Sequence, residues 1–376
     1  MAGRSQEALY AEIDLELSWS EAELPQSERT KHVHGLHPYL GKFVPQLVEV
    51  FLRRYFAPGQ CVYDPFAGSG TTLVEANVFG ANAIGCDISA FNCLLGRVKT
   101  ARHPLAALEL GLRTTLEAVR QAGAQPAEGA SEWLRTWYAP RALGELLRYR
   151  DVARERLDGD ALDVAAVILS RAARSARRTP HFDLDFATVP AIGPYYCHKH
   201  RRICRPVEEA QKFLVRYTTD MMRRLRGFAE LRSDRRVDVV HDDARTFRPR
   251  RIDGIVTSPP YPGLIDYHEQ HRYAYELLGL EDRRSDEIGP AVRRAGTRAL
   301  ADYVADMAET FSNAARSLRR GAPVVIVVND ARELYPEILA NAGLRLEERI
   351  VRHVNRRTGR RAGEFFESIL VCRVGR

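Results

Sequence analysis

Two short stretches of this 376-residue chain carry residue types that suit chemistry better than packing. The first is Ser258-Pro259-Pro260-Tyr261, which follows an apolar run at 252–257 that reads as a short buried strand. Two prolines fix φ and remove two backbone N–H donors, so the carbonyls there are free to point outward. The tyrosine adds a flat face with a polar tip. A hydroxyl, a carbonyl and a ring so placed can grip a planar base by its amino group and stack on it. The second stretch is Asp64-Pro65-Phe66-Ala67-Gly68-Ser69-Gly70-Thr71-Thr72. Glycines at 68 and 70 permit positive φ and a close backbone approach to a ligand. The turn opens onto a helix, whose first N–H groups lack intrahelical partners.

What ligand the second stretch takes follows from what is missing. A dinucleotide turn would read GxGxxG, but position 73 is Leu, and a P-loop would carry a lysine that is absent here. An acid at the strand end, Asp64, repels phosphate and suits a positively charged amino or sulfonium group. S-adenosylmethionine carries both. Asp87, with Ile88 beside it, ends the next strand, where an acid can accept both ribose hydroxyls. Asp243, just after a strand at 237–240, is a candidate acceptor for the adenine amino group.

Strand 61–63, a glycine turn, helix 71–79 closed by Gly80, strand 83–86 and an acid make one βαβ unit and imply a parallel sheet. Strands resume at 237–240, 252–257 and 323–328, and two more at 345–354 and 368–374 pair near the C-terminus. Between the halves, 101–236 reads as mostly helical, with no strand–helix alternation. The expectation is an α/β fold: a Rossmann-like, doubly wound, mostly parallel sheet with a mainly helical insertion. Its organisation would be an arm at 1–30, a catalytic domain at 31–100 and 237–376, and the insertion at 101–236.

No run of 18 apolar residues is present, so no membrane span is expected. The first 20 residues lack a basic-then-apolar leader pattern, which predicts a cytoplasmic, nucleoid-associated protein. Net charge is +7, and arginines cluster: 171–205 holds eight Lys/Arg against two acids, and 352–361 holds five arginines and no acid. Guanidinium forks onto phosphate, so the partner class is nucleic acid. Arg201, Arg202, Arg356, Arg357, Arg360 and Arg361 are the candidate phosphate contacts. Six cysteines form no CxxC pair, which fits a reducing compartment. Cys197, His198, His200 and Cys204 are of the types that ligate zinc. Their spacing is tight and no second ligand pair is evident, so a metal-free basic loop against DNA is the expectation.

Asp64 to Thr71 together with Thr257-Ser258-Pro259-Pro260-Tyr261 resembles the amino-methylating DNA methyltransferases. So does His34-Gly35-Leu36-His37-Pro38-Tyr39-Leu40-Gly41-Lys42-Phe43-Val44-Pro45-Gln46, which is similar to the family's segment over the methionine end of the cofactor. The resemblance covers 31–100 and 237–376, in an order similar to the family's α-type, where the insertion recognises the target. It implies a class I methyltransferase fold, S-adenosylmethionine as cofactor held also by Lys42 and Phe43, double-stranded DNA as substrate and a cognate restriction endonuclease as companion. It implies roles for Ser258 and Pro259 as acceptors from the amine, with Pro260 shaping the turn and Tyr261 stacked on a flipped base. A serine at the first tetrapeptide position is common among enzymes of cytosine N4, an aspartate among those of adenine N6. Both bases stay open, as do an RNA base and a binding module without activity. Methylation at cytosine C5 needs a cysteine after proline, and no cysteine here follows one.

Overall fold

Alternation along one strand sets the layering. Val324, Ile326 and Val328 face one helical layer, Val325 and Val327 the other, because successive side chains leave a strand on opposite sides. A computed structural model of the protein describes residues 17–20, 22–263, 266–289, 296–354 and 366–375. After a one-turn helix at Gln26–Arg29 and a 3-10 turn at His32–Gly35, the first long helix is α1 (Pro45–Tyr55), followed by β1 (Cys61–Asp64), α2 (Thr71–Phe79), β2 (Asn82–Asp87) and α3 (Ala90–Thr100). After the insertion come β5 (Val237–His241) and β6 (Gly254–Thr257), then β7 (Pro323–Val328), β8 (Leu344–His353) and β9 (Phe366–Val374). These seven strands form one sheet in the order β5-β2-β1-β6-β7-β9-β8, parallel except for β9, which runs antiparallel to both its neighbours. All seven are the strands the sequence indicates, and the doubly wound α/β class is as expected.

Strand order reverses at β1, flanked by β2 on one side and β6 on the other. Ligands of open α/β sheets bind outside the carboxyl ends of the strands at such a switch point. Both chemical stretches leave from there.

The insertion consists of α4 (Leu105–Ala122), α5 (Glu132–Trp137), α6 (Pro140–Arg156), α7 (Gly159–Ala176), a hairpin of β3 (Tyr195–Cys197) and β4 (Arg202–Cys204) that the sequence did not reveal, and α8 (Gln211–Ala229). Its helices do not form a core of their own. Leu112, Leu143, Ile168 and Leu214 share one buried cluster with Phe91, Leu94 and Val98 of α3, making a second helical layer over that helix. Buried Glu145 accepts from the N–H groups of Ala210 (2.6 Å) and Gln211 (2.9 Å), capping α8. At the other end of α8, Arg224 donates to the carbonyls of Thr30 (2.9 Å) and His32 (2.8 Å). A Cβ on Gly35 would meet that guanidinium, so any larger residue there would displace Arg224 from those carbonyls.

The described end of the arm packs on the sheet. Leu17 is buried, and the Ser18 hydroxyl accepts from His353 N–H (3.0 Å). Among the described residues no helix is long and apolar enough to cross a membrane.

Candidate active site

Asp64 leaves the end of β1 almost fully buried. Its Oδ1 accepts from Thr257 Oγ1 (2.6 Å) and from Phe66 N–H (3.1 Å). The register Val62↔Gly254 and Tyr63↔Ile255 puts these two strand ends side by side, so one hydrogen bond ties the cofactor turn to the strand that carries Ser258. Burial pushes the Asp64 carboxyl up to about 6 in spite of those donors.

The turn after Asp64 needs its glycines. Gly68 (φ 49) and Gly70 (φ 75) are left-handed. Gly68 N–H donates to Asp87 Oδ2 (2.7 Å) and Ala67 N–H to the Cys86 carbonyl (3.0 Å), which zips the turn onto β2. A Cβ at Gly70 would sit 3.2 Å from Gly96 Cα, so α3 passes tight against the loop. Lys99 of α3, fully buried, donates to the Ser69 carbonyl, and burial holds its ammonium well below the usual lysine range. Asp87 Oδ1 accepts from Ser89 N–H (2.8 Å) and Asn92 Nδ2 (3.1 Å), and burial raises its pKa.

These groups border a cleft of about 900 Å³. Of the residues singled out from sequence, Phe43, Asp64, Pro65, Phe66, Ala67, Gly68, Ser69, Thr71, Asp87, Ile88, Asp243, Ser258 and Pro260 line it. Lys42, Gly70, Pro259 and Tyr261 do not. Lys42 is turned back onto the His34 carbonyl, and burial lowers its pKa to about 8; it braces its own segment instead of facing the cleft. Asp243 is engaged, ion-paired with Arg245 (2.6 Å), which also reaches Asp306 (3.0 Å). The carbonyls of the tetrapeptide are not all free either: that of Pro260 accepts from Tyr303 (3.0 Å). Tyr261 departs furthest from expectation. Its hydroxyl donates to Glu367 Oε1 on β9 (3.0 Å), and Arg352 pairs with the other oxygen of that carboxylate (2.8 Å). The ring packs against the core beneath the sheet.

Sequence reasoning missed part of the wall. Tyr39 and Tyr267 stack at 5.4 Å, and Tyr39 Oη accepts from Asn92 (3.2 Å). Glu287, hydrogen-bonded to buried His268, and its neighbour Asp286 close the far side. Tyr39 lies inside the segment 34–46, whose pattern marks it; Glu287 has no local signal.

A family model described as DNA methylase matches residues 6–96. The Type II methyltransferase M.MjaII of Methanocaldococcus jannaschii is 35% identical over 447 aligned residues, covering 97% of this chain and 84% of that protein. The chain belongs to the amino-methylating DNA methyltransferases. M.MvaI of Kocuria varians matches over a shorter stretch, 37% identical over 70 residues, 18% of this chain and 15% of that one. The solved structure of TrmN from Thermus thermophilus aligns over 89% of this methyltransferase and 50% of its own chain at 14% identity, with a TM-score of 0.33, too loose a likeness to bear on function.

The cofactor of this methyltransferase is S-adenosylmethionine, and the cleft fits it. Five acids line the wall (Asp64, Asp87, Asp243, Asp286 and Glu287), and among the described residues no lysine or arginine does. Such a wall disfavours phosphate and favours a ligand with ammonium and sulfonium charges. Asn92 Oδ1 lies buried in that wall with no hydrogen-bond partner among the described residues, an acceptor waiting for a donor. A Cβ at position 68 would stand 3.1 Å from Tyr39 Oη and narrow the space above the turn.

The candidate DNA contacts lie elsewhere. Arg201, at φ 51, and Arg202 are exposed on the β3–β4 hairpin. Arg356, Arg357, Arg360 and Arg361 fall between β8 and β9, outside the described residues.

Proposed function

We propose that this methyltransferase moves a methyl group from S-adenosylmethionine to the exocyclic N4 amine of a cytosine flipped out of a specific duplex DNA sequence. The observation that carries this reading is the pairing of the two strand ends: Ser258 borders the same cleft as the glycine turn, and Thr257 is hydrogen-bonded to Asp64. The region 101–236 reads the target, with Arg201 and Arg202 on phosphates, and a cognate restriction endonuclease is the companion, as the Type II name of the relative suggests.

Asp64 takes the ammonium end of the cofactor, Phe43 packs over its methionine end, the Gly68–Gly70 turn runs beside it, Asp87 takes the ribose hydroxyls, and Ile88 flanks the adenine. Asp243 lines the cleft as the acceptor for the adenine amino group, which would share its carboxylate with Arg245. When bound, the cofactor supplies an electrophilic methyl. The protein's own task is to make a poor nucleophile usable. An exocyclic amine delocalises its lone pair into the ring. Ser258 Oγ and the Pro259 carbonyl accept its hydrogens and so favour a tetrahedral nitrogen with the lone pair exposed. The Ser258 hydroxyl hydrogen-bonds with that of Tyr261, which Glu367 holds in turn. Ser258 thus spends its hydrogen on Tyr261 and turns lone pairs to the cleft. Positioning of this kind, not covalent attachment, supplies the rate.

The test is incubation with labelled cofactor and duplex DNA, digestion to nucleosides and identification of the product. Label in N4-methylcytosine supports the reading. Label in N6-methyladenine overturns the base, and label found only in RNA overturns the substrate class. Ser258→Ala should lower kcat while leaving cofactor affinity nearly intact; collapse of cofactor binding would refute the division of labour.

A further inference from the structure

Away from the cleft, the loop region between α7 and α8 gathers four metal-ligating groups that methyl transfer does not use. Cys197 closes β3 and Cys204 closes β4, and the register (Tyr195↔Cys204, Cys197↔Arg202) puts both sulfurs on one face of the hairpin. His200 sits in the connecting turn, and His181 arrives from the loop after α7. One ligand atom from each of the four lies within 4.8 Å of all the others.

The spacing is that of a metal shell. His200 Nδ1 stands 3.6 Å from Cys197 Sγ and 3.5 Å from Cys204 Sγ. Around tetrahedral zinc, with Zn–S of about 2.3 Å and Zn–N of about 2.0–2.1 Å, a sulfur–nitrogen edge measures about 3.6 Å. Both cysteines are buried and unbridged, while His200 covers the group from the solvent side. His181 packs edge-on to His200 (4.9 Å between ring centroids), and its Nδ1 is buried with no hydrogen-bond partner among the described residues. His198, which the sequence placed in the same group, instead meets the rings of Phe182 and Tyr196. The metal-free expectation weighed only Cys197, His198, His200 and Cys204; the fourth member of the group seen in the structure, His181, lies 16 positions before Cys197.

The hairpin also needs what a metal provides. Each strand is three residues long, and Tyr196 and Ile203 are half exposed or more. An isolated two-stranded hairpin is marginal in water, and little apolar burial holds this one in place. We propose that His181, Cys197, His200 and Cys204 bind one Zn²⁺ ion that staples the basic hairpin, with Lys199, Arg201 and Arg202, to the loop that follows α7. Both thiols lose their protons to solvent on binding, so ion and thiolates cancel in charge and the arginines keep the positive face. The site is structural, since all four positions are filled by protein groups.

The experiment is metal analysis of the full-length protein purified without chelator. About one zinc per chain is expected. Cobalt added to the metal-stripped protein should give a thiolate-to-cobalt charge-transfer band and the strong visible bands of a tetrahedral ion. Cys204→Ser and His181→Ala should each weaken zinc binding at least about tenfold, with S-adenosylhomocysteine binding retained as the sign of a folded core. His198→Ala should keep the metal. Substoichiometric zinc together with no cobalt–thiolate band in the unmutated protein overturns the proposal, as does zinc that survives Cys204→Ser or departs with His198→Ala.

Discussion

Replacing Thr257 with valine keeps the shape of the strand end and removes one hydrogen bond, the 2.6 Å contact to Asp64 Oδ1. Burial already holds that carboxyl at about 6, up from 3.8. A hydrogen bond to a charged group contributes about 2 kcal/mol, and at about 1.4 kcal/mol per pKa unit its loss moves Asp64 up by roughly 1.5 units, to about 7.5. At pH 7 the ionised share then falls from about nine-tenths to about one quarter, and at pH 8.5 it recovers to about nine-tenths. If the ionised carboxylate holds the cofactor's ammonium, the ratio of variant to wild-type Kd should be about fourfold at pH 7, steeper at pH 6, and close to one at pH 8.5. Calorimetric titration with S-adenosylhomocysteine across that range measures it. Buffers of different ionisation enthalpy should report proton release on binding to the wild type near pH 6. A loss that is the same at every pH, or no loss in a variant that melts normally, would refute the reasoning. The sign for stability is opposite to that of an ion-paired acid. The folded pKa lies above the unfolded one, so the stabilising contribution is complete below about 4 and is lost as pH rises through about 6.

Gly68→Ala forces a side chain into φ 49 and toward Tyr39 Oη, so stability should fall by about 1–2 kcal/mol and cofactor affinity with it, read by thermal unfolding with and without ligand; unchanged affinity would remove the turn from the site. Tyr261→Phe leaves the Glu367–Arg352 pair but frees the Ser258 hydroxyl, so kcat should drop while cofactor Kd holds; an unaltered kcat would separate Tyr261 from the acceptor chain. Arg201→Ala with Arg202→Ala should make log K against log salt shallower by about 0.9 for each phosphate left without its guanidinium, measured by DNA titration; an unchanged slope means neither arginine meets a phosphate.

How far the site could be read from sequence follows the reach of each interaction. Asp64 to Thr71 and Ser258 to Tyr261 stood out because positive φ, fixed φ and strand-end acids are local demands that restrict residue choice at the position itself. The seven strands were legible for the same reason, through apolar runs and the turns that bound them. Asn92 and Glu287 reach the cleft through packing of distant segments, which no short-range pattern encodes, whereas Tyr39 sits in a segment whose local pattern marks it. Lys42 and Tyr261 show the converse. Their types suited the cleft, but a carbonyl eight residues back and a carboxylate on β9 captured their polar ends. The insertion was legible as helix from its periodicity, while its seat on α3 depended on which apolar face met which. His181 was invisible because a ligand set closed by the fold needs no short spacing.

The grip of Arg224 on the Thr30 and His32 carbonyls has a thermodynamic consequence. It joins α8, in the region assigned to target reading, to the segment that carries Tyr39 over the glycine turn. Two ligands that bear on one rigid unit trade free energy, and the exchange is symmetric: whatever factor DNA applies to cofactor affinity, the cofactor applies to DNA affinity. Cutting that grip by Arg224→Ala would bring the factor toward one for both ligands at once, so a single pair of titrations closes a thermodynamic cycle around one guanidinium.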